Sequence, residues 1–147
     1  MSMYDHLSIS VSDLDRAVAL YDEALAALGM VRLWRTPRAA GYGPPGFEGE
    51  APFAIVVPEH GSASPSAAFH LAFSAPHRQA VDQFHARAVA AGAVDGGPPG
   101  IRAHYDPGYY AAFVEDHDGN RLEAVVHESP VVHESPDGTL GDQETSS

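Results

Sequence analysis

The sequence predicts an α+β fold made of two βαβββ modules, whose strands form a cup-shaped, half-open mixed sheet with the helices on its outer face. Two observations support this prediction. The order strand, helix and three strands occurs twice, in modules spanning about residues 4–58 and 67–127. Residues 6–10 (HLSIS) also match residues 70–74 (HLAFS). Because neither module can bury an apolar sheet face alone, the repeat predicts a single domain over residues 1–127.

The first module opens with an alternating segment, which is typical of a strand. The odd positions from Leu7 to Val11 are apolar, and His6 lies on the opposite face. Ser12 is predicted to cap a helix whose apolar residues recur at helical spacing as far as Gly29. Three strands are predicted to follow, over residues 30–35, 40–43 and 53–57.

The second module repeats this order. A strand over residues 69–74 places His70 on the face opposite Leu71 and Phe73. Ser74 is predicted to cap the second helix, which ends at Gly92. A glycine- and proline-rich loop is predicted over residues 96–100, followed by a strand over residues 101–105.

The last structured segment is predicted to be a hairpin over residues 109–126, with its turn at residues 118–120 (Asp-Gly-Asn). In the return strand Leu122, Ala124 and Val126 share one face, and Glu123 lies on the other. A carboxylate in the middle of a strand is costly unless a charged group meets it. Glu123 is therefore the first candidate for a functional residue.

Composition narrows the classes of function. The formal net charge of -12 makes nucleic acid and anionic membrane surfaces unfavourable partners. The absence of cysteine excludes disulfides and thiolate chemistry. No apolar run is long enough for a membrane span and no signal peptide is visible, so a cytoplasmic location is expected. Residues 128–147 are acidic and repetitive and are predicted to be a disordered tail.

Three residues share one feature of strand geometry. His6, His70 and Glu123 each lie on the face opposite the apolar row of their strand, which the helices are expected to cover. They are therefore predicted to converge on the concave side of the sheet. Two imidazoles and one carboxylate form a facial triad that leaves coordination positions open for substrate or water. Taken singly, a histidine early in a strand is more often a surface or satisfied residue than a ligand, and Glu123 is also explained as a solvated strand residue.

Three segments, residues 6–21, 69–73 and 113–123, resemble the vicinal oxygen chelate superfamily, and the resemblance extends over roughly residues 4–127. This superfamily includes glyoxalase I, extradiol dioxygenases, fosfomycin-resistance thiol transferases and bleomycin-resistance proteins. The resemblance implies that His6, His70 and Glu123 bind one divalent metal ion, which would be Fe, Mn, Zn or Ni. Glyoxalase I usually has a further glutamate in the fourth strand, where this chain has Ala54. The branches of the superfamily that use three protein ligands are therefore more similar to this chain than glyoxalase I is.

The resemblance also implies a metal-dependent enzyme with lyase, isomerase or dioxygenase chemistry on a small molecule that presents vicinal oxygens. Around such a substrate, Glu123, His104, Tyr105 and Tyr109 are predicted to act catalytically, with Tyr42 as a further hydrogen-bonding group. The tyrosines are explained equally well as packing at the sheet edge. The alternative function is a non-catalytic protein of the bleomycin-resistance type that binds or sequesters a small molecule.

A homodimer is expected, because the sheet edges are exposed and cyclic dimers are the commonest soluble assembly. In relatives, the two modules of one cup come from one chain or from two. If they are exchanged, His6 of the partner subunit would meet His70 and Glu123.

Overall fold

The computed structural model describes residues 2–128, which form two modules with the same order of elements. The first module comprises β1 (Leu7–Ser10), α1 (Leu14–Ala26), β2 (Val31–Arg35), β3 (Ala39–Gly43) and β4 (Phe53–Val56). The second comprises β5 (Leu71–Ser74), α2 (Arg78–Ala90), β6 (Val94–Ile101), β7 (Tyr109–Glu115) and β8 (Arg121–His127). The predicted pair of βαβββ modules is confirmed. The predicted disordered tail lies outside the described residues from position 129 onward.

The two modules have the same sheet topology. The strand orders are β1-β4-β3-β2 and β5-β8-β7-β6. In each sheet the first strand is parallel to the last strand of its module, and the other pairs are antiparallel. The predicted mixed sheet is thus divided into two four-stranded halves, and β1 and β5 each form an edge. Within residues 2–128, neither helix is long and apolar enough to cross a membrane.

The core lies between the helices and the sheets. The helices α1 and α2 contact each other, and their apolar stripes pack against residues of both sheets. Tyr21, Phe84 and Ile55 have no solvent exposure. Burial of a side chain of this size contributes about 1.5–3 kcal/mol. The core is therefore shared by both modules, which makes them one folded unit.

A buried polar network joins the β7–β8 turn to the first module. The Tyr21 hydroxyl donates to Asp116 Oδ2 at 2.6 Å, and Asn120 Nδ2 donates to the same oxygen at 2.8 Å. Asn120 Nδ2 also donates to the Ser10 carbonyl at 3.1 Å. Burial, followed by the Asp116 carboxylate, raises the pKa of Tyr21. The network therefore fixes the turn just before the strand that carries Glu123.

Helix α1 begins one residue later than predicted. Its N-cap is Asp13, whose side chain accepts a hydrogen bond from the Arg16 N–H at 3.1 Å. Ser12 does not cap the helix, and its own N–H donates to the Asp118 carboxylate at 3.0 Å. A tertiary contact thus determines which of two adjacent capping residues is used.

Helix α2 also begins later than predicted. Its N-cap is His77, whose Nδ1 accepts from the Ala80 N–H at 3.1 Å. Ser74, the predicted cap, is the last residue of β5 and pairs with Val125 of β8. Ser74 is therefore held in the pairing of β5 with β8, and His77 takes the capping position.

The prediction of a loop over residues 96–100 is wrong, because these residues belong to β6. Strand β6 is an edge strand, where Pro98 and Pro99 can lack an N–H without breaking the sheet. Its pairing with β7 shifts register on either side of Gly97. The predicted strand over residues 101–105 is also wrong, since β6 ends at Ile101.

Residues 102–108 instead form a loop whose ends meet. The Arg102 N–H donates to the Tyr109 carbonyl at 2.7 Å, and the Tyr109 N–H donates to the Asp106 carbonyl at 3.0 Å. The Tyr105 N–H donates to the Arg102 carbonyl at 2.9 Å. These bonds hold both ends of the loop on the β6–β7 pair.

Candidate functional site

Glu123 is the centre of the candidate site. It lies on the face of β8 opposite Leu122 and Ala124, and only 1% of its surface is exposed. A buried carboxylate needs hydrogen-bonding partners. One oxygen, Oε1, lies 2.8 Å from His70 Nε2, and the other, Oε2, accepts from the Tyr109 hydroxyl. One oxygen of the buried carboxylate is therefore held by a histidine that lies just before β5, and the other by a tyrosine of β7.

The sheet register explains this convergence. Strand pairing places Ala72 of β5 and Phe113 of β7 directly opposite Glu123. Strand β5 begins at Leu71, later than the predicted residue 69, so His70 lies just before it. The His70 side chain continues the alternation of the strand and reaches the face of Glu123. The His70 ring lies 5.9 Å from the Phe113 ring, centroid to centroid. Together these side chains cover the carboxylate on a sheet face that the helices leave free.

Tyr109 reaches Glu123 from the start of β7. Burial, and then the hydrogen bond to Glu123, raise the pKa of the Tyr109 hydroxyl. The hydroxyl therefore keeps its proton throughout the ordinary pH range and remains a hydrogen-bond donor. It fixes the orientation of Glu123 and directs the other oxygen toward His70.

An aromatic cluster formed by His104, Tyr105, Tyr109 and His127 extends from this site toward solvent. The Tyr105 ring lies 5.0 Å from Tyr109 and 4.1 Å from His104, while His127 packs edge-on against Tyr109 at 5.0 Å. Tyr105 is 62% exposed. Of the predicted catalytic residues, Tyr109 contacts Glu123, Tyr105 contacts Tyr109, and His104 contacts Tyr105.

His6 has a different environment from His70. It precedes β1, its side chain is half-exposed, and its Nδ1 lies 2.7 Å from the Asp5 carboxylate. This hydrogen bond raises the pKa of His6. Over residues 2–128, no three His, Asp or Glu side chains form a group that could hold a metal ion. The chain therefore brings together His70 and Glu123 of the predicted triad, but not His6.

The two side chains that meet are suited to a shared metal ion. Imidazole and carboxylate are ordinary ligands of Zn, Mn, Fe and Ni. Ligand atoms that each lie about 2.0–2.2 Å from one ion are roughly 3 Å apart. The 2.8 Å between His70 Nε2 and Glu123 Oε1 is compatible with this arrangement. The pair fits a metal, and a third ligand would have to come from elsewhere.

The first module carries no equivalent of this site. The position that matches Glu123 in the repeat is Ala54, which pairs with Gly41 of β3. The Trp34 indole lies over Gly41, where an added Cβ would come within 2.3 Å of the ring. In the first module an indole therefore occupies the sheet face that holds a carboxylate in the second.

Two residues on the sheet face of Glu123 were not predicted as site residues. Phe113 shares its face, and the Arg102 guanidinium carbon lies 5.4 Å from the Phe113 ring centroid. The alternation of β7 would have identified Phe113, because Tyr109 and Phe113 are an even number of residues apart. No sequence signal indicates the position of Arg102, which depends on the unpredicted extent of β6.

Tyr42 belongs to the core rather than to this site. It is 1% exposed, and its hydroxyl donates to Asp22 at 2.9 Å. Burial, followed by Asp22, raises the pKa of Tyr42. The alternative explanation given for the tyrosines, that they serve as packing, therefore applies to Tyr42.

A cavity of about 820 Å³ lies between the edge strands β1 and β5. Its walls include Leu7 and Phe53 from the first module and Phe69 and Phe73 from the second. His70 also lines the cavity, so the space reaches the imidazole of the site. Its volume falls within the range of small-molecule sites, roughly 300–1,000 Å³.

Comparisons with known proteins are consistent with this geometry. The sequence model of the Glyoxalase/Bleomycin resistance protein/Dioxygenase superfamily matches residues 4–124. A glyoxalase/bleomycin resistance protein from Albidiferax ferrireducens T118 is 30% identical, with a TM-score of 0.75 over 84% of this chain and 98% of that chain. A comparison with functionally curated proteins gave no match.

Two more distant solved structures share the fold. A glyoxalase-related enzyme from Fulvimarina pelagi is 20% identical, with a TM-score of 0.65 over 85% of this chain and 88% of that chain. The fosfomycin resistance protein FosX from Listeria monocytogenes is 18% identical, with a TM-score of 0.60 over 85% of this chain and 93% of that chain. Both similarities concern the fold alone.

Proposed function

The chain belongs to the glyoxalase/bleomycin resistance protein/dioxygenase superfamily, and from this premise we propose that it is a metal-dependent enzyme acting on a small molecule with two adjacent oxygens. The observation that supports the proposal most directly is the state of Glu123. Its carboxylate is buried on a helix-free sheet face and held by an imidazole and a phenol. Burial of a carboxylate costs folding stability, so this arrangement is better explained by a role in catalysis or binding than by a role in stabilising the fold.

In this proposal His70 and Glu123 hold the metal, and His6 of the partner subunit is the third ligand within a homodimer. A divalent ion would act as a Lewis acid on the paired oxygens of the substrate. Tyr109 holds Oε2 of Glu123 and so leaves Oε1 directed at His70. A hydrogen bond of this kind to a metal-binding side chain sets the orientation of that side chain and contributes to metal affinity.

The remaining predicted catalytic residues lie on the solvent side of Tyr109. Tyr105 packs against Tyr109, and His104 packs against Tyr105. The Tyr105 side chain is largely exposed to solvent. They are placed to hydrogen-bond a substrate as it approaches the carboxylate. Glu123 is the group closest to the proposed reaction, and proton transfer is assigned to it, while the Tyr109 hydroxyl remains the hydrogen-bond donor that holds it.

The second candidate function is binding without turnover, in the manner of a bleomycin-resistance protein. The largely apolar walls of the cavity beside His70 favour it, since they suit sequestration of a hydrophobic compound. The two candidates differ in their need for metal. A sequestering protein would keep its ligand affinity after His70→Ala, whereas the proposed enzyme would lose its metal.

The test is metal binding by the purified full-length protein, measured by calorimetry and by elemental analysis with Mn²⁺, Fe²⁺, Ni²⁺ and Zn²⁺. We expect one ion per chain, and a loss of affinity on the order of 100-fold in Glu123→Gln and His70→Ala. His85→Ala is the matched control, because His85 also contacts a carboxylate, Asp95, at 2.9 Å, but outside the site. Failure of the wild type to retain any of the four ions would refute the proposal.

A further inference from the structure

Arg102 lies on the same sheet face as the site. Its guanidinium carbon is 5.4 Å from the ring centroid of Phe113, the residue that pairs directly with Glu123. Its backbone N–H donates to the carbonyl of Tyr109, whose hydroxyl binds the same carboxylate. Arg102 is thus attached to the site through two residues that surround Glu123.

The end of β6 is shaped to accommodate this guanidinium. A Cβ on Gly100 would lie 3.0 Å from Arg102 Nη1, and a Cβ on Gly97 would lie 3.3 Å from Nη2. Arg102 Nη2 donates to the Pro98 carbonyl at 2.6 Å. Because both glycines lack side chains, the guanidinium can rest against the strand, where it is half-buried. The irregular pairing of β6 and its glycines therefore produce a defined position for a cation.

No carboxylate of the chain neutralises this cation in the part that the structure describes. The sequence has 20 acidic and 8 basic residues, yet none of the ion pairs within residues 2–128 includes Arg102. Arginine presents a planar fork of N–H donors that matches a carboxylate, and only Nη2 has a protein acceptor here. The other donors are free to bind an anion from solution. Five other arginines do pair with carboxylates: Arg32, Arg35, Arg38, Arg78 and Arg87.

The separation between the cation and Glu123 sets the length of a ligand. Gly97 pairs with Phe113, and Phe113 pairs with Glu123, so two strand spacings separate the glycine from the carboxylate. Two spacings are roughly 10 Å. The Phe113 ring lies between, and its face is apolar. A ligand along this path would meet His70 and Glu123 at one end, an aromatic ring in the middle and Arg102 at the other end.

We propose that Arg102 binds an anionic group of the substrate, so that the substrate is an acid carrying its vicinal oxygens at one end, a flat apolar middle and a carboxylate or similar anion at the other. This inference rests on the proposed function for the placement of the oxygen pair. The inference goes beyond the proposed function because it defines the chemical group at the opposite end of the substrate. An anionic substrate also runs against the formal net charge of -12, which by itself makes a cationic ligand plausible.

Three probes of nearly equal shape test the inference. They are 3-(3,4-dihydroxyphenyl)propanoate, its uncharged methyl ester and the cation 3,4-dihydroxyphenethylamine. In calorimetry on the full-length, Zn²⁺-loaded protein, the acid should bind about tenfold more tightly than the ester, because a hydrogen bond to a charged group has this effect on affinity. The amine should bind most weakly.

Variants test whether the preference for the acid over the ester depends on Arg102. Arg102→Gln should bring the acid and the ester to equal affinity, and Arg102→Lys should keep part of the preference because it keeps the charge but loses the fork. Gly100→Ala should reduce the preference without changing any charge, since its Cβ would displace Nη1. Arg16→Gln is the matched control, because it removes the same charge from an exposed position on α1. Circular dichroism and thermal melting confirm that each variant is folded.

The outcomes separate this inference from the proposed function. Equal affinity of the wild type for acid and ester, tighter binding of the amine, or an unchanged preference in Arg102→Gln overturns the inference. If Glu123→Gln still abolishes binding of all three probes in that case, the proposed function stands. If the Arg102-dependent preference persists in Glu123→Gln and His70→Ala, the anion site stands and the proposed function falls. Absence of binding of every probe to the wild type counts against both.

Discussion

At the scale of single residues, Tyr109 determines how Glu123 is presented. Its hydroxyl occupies one carboxylate oxygen, while the other oxygen faces His70. The raised pKa of Tyr109 keeps this hydroxyl protonated, so the contact is retained wherever the protein is studied near neutral pH. The role of the contact can be tested without altering either proposed ligand.

Tyr109→Phe should weaken metal binding by 10- to 100-fold, roughly the effect of removing a partner that orients a ligand. Calorimetric titration with Zn²⁺ measures the change. Tyr105→Phe is the control, since Tyr105 belongs to the same aromatic cluster but contacts the ring of Tyr109 rather than Glu123. Equal losses in the two variants would show that the hydroxyl of Tyr109 has no special role.

Tyr21 provides a prediction about pH. Burial and Asp116 raise its pKa in the folded protein above the unfolded value of about 10. At alkaline pH the unfolded chain releases this proton first, so stability should be retained below about pH 10 and lost as the pH rises further. Tyr21→Phe should be less stable by about 1–3 kcal/mol at pH 7 and should lose less stability above pH 10.

Urea unfolding at pH 7 and pH 10.5 measures both effects. Tyr4→Phe is the control, because Tyr4 is 72% exposed and outside the core. If Tyr21→Phe and the wild type lose stability equally between the two pH values, Tyr21 is not the group that titrates.

At the scale of elements, local patterns predicted most of the secondary structure. Helices α1 and α2 and the β7–β8 hairpin were identified because their apolar spacing and turn residues are properties of short segments. Strand β6 was missed because Gly97 and Pro98 disfavour a strand locally, and only the edge position and the pairing with β7 allow it. The structure therefore departs from the prediction where tertiary pairing outweighs local preference.

The same distinction applies to the site. The contact between His70 and Glu123 follows from strand alternation and register, which the repeat made visible. The position of His6 depends on how whole modules are arranged, and no local pattern contains that information. Its contact with Asp5, the preceding residue, was also not predicted. Faces of strands were predictable, whereas distances between modules were not.

The β3 strand gives a prediction that uses the single tryptophan of the chain. In Gly41→Ala the new Cβ would lie 2.3 Å from the Trp34 indole, which must then move away from the sheet. We expect red-shifted tryptophan emission and a loss of about 1–3 kcal/mol of stability. Gly96→Ala is the control, because its Cβ would meet Phe113 only at 3.4 Å. Unchanged emission in Gly41→Ala would contradict the packing of Trp34.

At the scale of the whole molecule, we propose that the metal site is completed by association of two chains. His70 and Glu123 meet within one chain, and His6 contacts Asp5 instead. Strands β1 and β5 are edges of separate sheets, and unpaired edges favour association with another chain. A homodimer in which His6 of the partner subunit approaches the pair would supply the third ligand.

Mixing two defective variants tests this assembly. His6→Ala and Glu123→Ala, combined under conditions that allow subunit exchange, should regain metal binding at about a quarter of all sites, because half of randomly formed dimers are mixed and each has one intact site. Elemental analysis after gel filtration measures the recovery. No recovery, despite proven exchange, would place all ligands of a site in one chain. A monomer by light scattering at micromolar concentration would exclude the dimer.

The closed base of the loop over residues 102–108 has a consequence for engineering. Because the Arg102 N–H bonds to the Tyr109 carbonyl and the Tyr109 N–H bonds to the Asp106 carbonyl, both ends of the loop are anchored at the sheet. Insertions in such a loop add little entropy cost, since loop closure depends only weakly on length. The tip of the loop can thus be extended while the groups that hold Glu123 and the anion stay in place. Substrate selectivity can be sought in this loop, because it carries His104 and Tyr105, the residues proposed to hydrogen-bond the substrate.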